Sequence, residues 1–132
     1  MPSTTNIGRS FHARGSILTA DLNAGIVIIP ARSGETLIVG DFWVRAIGGA
    51  ANCTAITLSD GTVTVASVAA AAATQNTVVR PETSSVTATN LNQSIGATYC
   101  VGEGKGLKII CTGTESSLTS LDYFIDFIRV AA

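Results

Sequence analysis

The chain has 132 residues, enough for one domain that buries a sizeable core without disulfide or metal help. Charged residues make up 13% of it, low against roughly 25% in an ordinary soluble domain, and the formal net charge is −1. That balance offers no global field for nucleic acid or an anionic membrane, and no apolar run approaches the ~20 residues of a membrane-spanning helix. Thr, Ser, Asn, Ala and Gly stand where the missing charges would be, the composition of surfaces that pack against other protein. A subunit of an assembly is one reading, and a monomer with a neutral, hydroxyl-rich surface is the plain alternative. The polar start MPSTTNIGRS has no apolar stretch or cleavage pattern of a secretion signal. Cys53, Cys100 and Cys111 are odd in number and widely spaced, as expected of small buried thiols in a reducing cytoplasm.

Residues 1–16 read as a polar, flexible arm, with residues 17–132 forming the folded domain. Arg9, His12 and Arg14 make the arm locally basic, and Gly8 and Gly15 are its hinges. These three side chains are the candidate partner-binding residues if the arm reaches a neighbouring surface; a frayed terminus explains them equally well. Residues 17–20 begin a strand, and DLNAG (21–25) is a turn.

Residues 24–49 read as a central hairpin: a β-branched run, Ile26 to Ile29, stopped by Pro30, a turn through Gly34, and a second strand from Glu35. Alternation from Leu37 and Val39 reaches Asp41 rather than Phe42. A bulge at Gly40-Asp41 restores the phase and puts Phe42, Val44 and Ala46 on the face of Leu37 and Val39; without a bulge, both faces of the strand are apolar. Asp60-Gly61 closes a hairpin between residues 55–58 and 63–65. SVAAAAAT (67–74) is the one plausible helix, with Ser67 as N-cap. Residues 82–93 read as a Thr/Ser/Asn loop with an edge strand at 85–89.

GEGKG (102–106) lacks the spacing, the following Ser or Thr and the helix of a phosphate loop, so its glycines read as a turn joining strands 97–101 and 107–112. The last strand, 121–130, carries Leu121, Tyr123, Ile125 and Phe127 on one face, with Asp122, Phe124, Asp126, Ile128 and Val130 on the other. It reads as a buried central strand. About eight short strands at roughly ten-residue spacing make a single-domain, all-β antiparallel sandwich or jelly roll with at most one short helix.

Chemistry is sparse. His12 is the only histidine, and nothing beside it builds a nucleophilic triad. A zinc site would need His12 with the three cysteines, none in CxxC spacing. Turn capping accounts for most carboxylates, and Asp122 and Asp126 look for partners such as Arg45 or Arg129 in structural ion pairs. The expectation is no enzyme, no cofactor and no metal.

The run NAGIVIIPARSGETLIVGDFWVRAIGGAA, the Asp-Gly hairpin, the alanine-rich segment with TQNTVVRP, and the closing GKGLKIICTGTESSLTSLDYFIDFIRV resemble small structural proteins of tailed bacteriophages. Those proteins are encoded near the major capsid protein and are proposed head decoration, or cement, proteins. The resemblance covers most of the chain from Asn23 onward and leaves the arm before Ile17 without a counterpart. It implies a β-sandwich subunit on the capsid surface of a virion, commonly a homotrimer, whose partner is the major capsid protein. Residues Arg9, His12 and Arg14 would then lie along the shell, and Ala69 to Ala73 would pack at the oligomer interface. The rival class is a carbohydrate- or receptor-binding module of a tail fibre or baseplate, which needs an exposed aromatic platform. Trp43, in the most apolar strand, is expected in the core. A bacterial surface or tail-tube subunit is a third option.

Overall fold

The computed structural model describes residues 11–81, 99–101 and 104–131. Among the described residues, nine strands form two antiparallel sheets: β1 (Phe11–Leu18), β2 (Ile26–Ile29), β3 (Glu35–Ile47), β4 (Ala55–Ser59), β5 (Thr64–Ala69), β6 (Val78–Val79), β7 (Tyr99–Cys100), β8 (Leu107–Thr112) and β9 (Ser120–Ala131). Sheet A runs β1-β9-β3-β6, with β7 also on β3; sheet B runs β2-β8-β4-β5. The architecture is the all-β sandwich expected from the strand spacing.

The inner faces meet in one core. Ile17, Leu37, Val39, Phe42, Val44, Ala46, Leu121 and Ile125 come from sheet A, and Ile56, Leu58, Val68, Leu107 and Ile109 from sheet B. The bulge is present: the β3–β9 register shifts between Val39 and Asp41. Phe42, Val44 and Ala46 are accordingly as buried as Leu37 and Val39. A slip of one residue there would have turned Trp43 and Arg45 inward. β9 is central, between β1 and β3, and the Asp60-Gly61 turn joins β4 to β5.

Several expectations are corrected. Residues 11–16 are not a flexible arm: β1 begins at Phe11 and pairs residue for residue with β9. A polar edge strand needs only one buried position per turn of the pleat, and Ile17 with half-buried Ala13 supplies it here. Arg9 lies outside the described residues. β2 and β3 are not hairpin partners, since β2 pairs β8 while β3 pairs β9. The Pro30–Gly34 connection crosses from one sheet to the other.

Nor do the 102–106 glycines close a hairpin; β7 lies on β3 and β8 on β2 and β4. The alanine-rich stretch is not a helix. Its first residues finish β5, whose Ala66 and Val68 face Leu58 and Ile56, and only Ala70–Ala72 form a 3-10 turn. Ala70 and Ala73 fill the chain's own core. The described helix is instead α1 (Thr19–Ala24), which buries Leu22 between the sheets and ends at Gly25, φ 88°. The edge strand expected at 85–89 lies outside the described residues.

Candidate interaction surface

The two outer faces differ in chemistry. The strands of sheet B carry a single formal charge, Lys108. Their outward positions include Ala55, Thr57, Ser67, Ala69 and Ile110, which lie side by side in register. The strands of sheet A carry Arg14, Glu35, Asp41, Arg45, Asp122, Asp126 and Arg129, together with His12.

Alternation along β1, β9 and β3 brings three rings together on the outer face of sheet A. Trp43 stacks on Phe124 with centroids 5.6 Å apart and planes 13° from parallel. Phe124 in turn meets His12 at 5.0 Å. The ladder thus crosses three neighbouring strands, and such aromatic pairs add stabilisation beyond the area they bury. Trp43 is half-buried on this outer face rather than in the core. The sequence misled because apolar residues flank it on both sides; only the phase of the bulge tells which face it takes.

Ion pairs border the rings. Arg45 Nη2 donates to Asp122 Oδ2 at 2.7 Å, and Ser16 Oγ donates to Asp122 Oδ1 at 2.6 Å. The Ser16 hydroxyl, followed by the Arg45 guanidinium, holds Asp122 below the usual carboxylate range. Arg80 pairs with Asp41 at 3.0 Å, and Arg129 with Glu35 at 3.1 Å. His12 Nε2 stands 3.7 Å from Asp126 Oδ1, beyond hydrogen-bond reach. Among the described residues, the buried side-chain polar atoms without a hydrogen bond are Arg45 Nε and Asp126 Oδ1, both on this sheet. Arg14 makes no hydrogen bond or ion pair with any described residue. An open groove of about 420 Å³ runs beside the ladder, lined by Arg14, Gly15, Ser16, Trp43, Asp122 and Tyr123.

Of the three sequence-predicted binding residues, the structure places His12 and Arg14 together on this face, on a strand. It also gives Asp122 the Arg45 partner anticipated for it, while Arg129 goes to Glu35. Asp126 faces His12.

A second polar cluster was not foreseen. Glu115 is 1% exposed, and its carboxylate accepts four backbone N–H groups. Asn52 and Cys53 donate to Oε1 at 2.9 and 3.1 Å, and Ser117 and Leu118 to Oε2 at 2.9 and 3.2 Å. Burial pushes the Glu115 carboxyl upward, but the N–H bonds from Ser117, Asn52 and Cys53 outweigh it and hold the group below its ordinary value. Next to it the Cys53 thiol is pushed up to about 12, by burial first and then by Glu115. Asn23 adds to the joint: its Oδ1 accepts the Glu115 N–H at 2.8 Å, and its Nδ2 donates to the Glu115 carbonyl at 2.9 Å. The cluster fastens α1 and two loops at one end of the sandwich. A thiol held protonated beside a fully hydrogen-bonded carboxylate makes a structural joint and a poor nucleophile. No group of three or more His, Cys, Asp or Glu side chains among the described residues could hold a metal ion.

No family model, curated protein or solved structure matches the chain.

Proposed function

We propose that the chain is a non-enzymatic virion structural protein, a decoration (cement) subunit that binds the outside of a bacteriophage head and stabilises it. The observation that carries this reading is the two-faced sandwich: rings and ion pairs on the outer side of sheet A, apolar and hydroxyl-bearing, nearly uncharged residues on the outer side of sheet B. The outer side of sheet A is the surface offered to the major capsid protein. Its ladder of His12, Phe124 and Trp43 supplies area to desolvate, and Arg14 with the bordering pairs supplies orientation. Many copies on one shell multiply modest single contacts. The working location is the capsid surface, after synthesis in the host cytoplasm.

The test is sedimentation of the purified chain with heads assembled from a bacteriophage major capsid protein. Saturable binding is expected, weakened at least about tenfold in a W43A/R14E variant that keeps its β-sheet signal. A folded chain that stays in the supernatant refutes the reading. The groove beside Trp43 favours one other reading, a carbohydrate-binding module, because it joins a half-exposed indole to Arg14, Ser16 and Asp122. Binding to host surface glycans, with none to heads, would decide for it.

A further inference from the structure

The four sheet edges are not alike. β6 has two residues and runs into Pro81, and β2 has four, a register shift and Pro30 after it. β5 has six, with a register shift in its ladder and a 3-10 turn at its end. Such devices keep edges from pairing with other chains. β1 has none of them. It is eight residues long, pairs β9 without a shift, and contains no Pro and no Lys. Its other side meets no strand among the described residues. Exposed apolar side chains stand at its two ends, Phe11 at 43% and Leu18 at 61%.

We infer that β1 pairs antiparallel with β1 of a second copy, joining two sheets A into one about a two-fold axis. This inference stands on the edge itself and is independent of the virion reading. A two-fold perpendicular to the sheet keeps corresponding faces together, so each residue must meet one of its own face. Centring the axis on Arg14 sets like charges directly opposite, which is unfavourable. Centring it on Ser16 shortens the shared ladder. Centring it on Gly15 pairs residues 12–18, with Arg14 opposite Ser16 and Ala13 opposite Ile17.

Two observations favour this last register. Arg14, which has no hydrogen bond or ion pair with any described residue, comes beside the partner's Ser16, whose hydroxyl holds Asp122 in this structure at 2.6 Å. Charge is therefore complementary across the axis, twice. Gly15 at the axis also lets Tyr123 lie across β1, since a Cβ there would stand 3.1 Å from the tyrosine hydroxyl. That hydroxyl lies over the edge strand without a hydrogen bond to any described residue. The resemblance to decoration proteins implies a homotrimer; antiparallel self-pairing of one strand closes only at two copies.

The test has two parts. Sedimentation equilibrium of the full chain should give twice the 13.5 kDa chain mass, and R14E should raise the dissociation constant about tenfold. A mixture of tagged R14C and untagged S16C chains should form a mixed disulfide dimer under mild oxidation, far faster than either variant alone or the wild type. A monomer at the highest attainable concentration, a trimer, or cross-linking no faster in the mixture than in the controls overturns the inference.

Discussion

Replacing Glu115 by Gln changes one atom type in a buried site and should cost far more than a surface change. Each carboxylate oxygen accepts two backbone N–H groups, so either orientation of the amide turns an NH₂ toward two donors. Two hydrogen bonds to a charged acceptor are lost, each worth ~1.5–3 kcal/mol, and two buried N–H groups are left unpaired. Part of that is recovered by relaxation and by the bonds to the remaining oxygen, leaving a net cost of about 4 kcal/mol. With a urea slope of about 2 kcal/mol per molar, the unfolding midpoint should fall by about 2 M.

The pH dependence gives an independent check. Because the folded-state pKa is held below the ordinary 4.5, the carboxylate's stabilisation is complete above pH 4.5 and is lost as pH falls through the lower folded value. The gap between wild type and E115Q should therefore be constant near neutrality and shrink in acid. A midpoint shift under about 0.5 M, or a gap that widens on acidification, would refute the reasoning.

The remaining predictions concern phase, backbone and thiol. Phe42 is 1% exposed and its neighbour Trp43 lies outside the core, so F42A should cost ~3–5 kcal/mol and W43A ~1–2 kcal/mol in the same denaturation assay; equal losses would contradict the bulge. Gly48 has φ 81°, and a Cβ there would meet the Thr119 side chain, so G48A should lower stability by at least about 2 kcal/mol, measured by thermal unfolding. Cys53, with its thiol raised to about 12, should remain unmodified by iodoacetamide at pH 8 when peptides are mapped by mass spectrometry, and react once the chain is unfolded in urea.

What the sequence disclosed depended on whether the information was local. The conflict of phase between Val39 and Phe42 is visible in the letters, and it located the bulge. Asp60-Gly61 specifies a two-strand turn whatever surrounds it, and the aromatic last strand announced its own burial. Which strands pair is not local: Pro30 to Gly34 makes the same turn whether the chain doubles back or crosses to the other sheet. The alanine run 69–73 has a helical propensity, but the ladder with β4 takes residues 67–69 into β5 and leaves only a 3-10 turn after it. On the candidate surface, His12 and Arg14 were singled out for their charge, but their placement beside Phe124 and Asp122 follows from the β1–β9 register. Glu115 left no trace, because its partners are backbone groups that any residue carries.

The position of β9 has a bearing on synthesis. It lies between β1 and β3, and it is the last of the described strands to leave the ribosome. Until then β1 and β3 have no neighbour to hold them in one sheet, while β4 and β5 can close as soon as their turn emerges. Sheet A is thus completed only after translation has passed Ala131, through contacts about a hundred residues apart in sequence. A nascent or truncated chain ending before Ser120 would present its apolar inner strands to chaperones and proteases, and emergence of β9 sets the earliest moment at which sheet A can close.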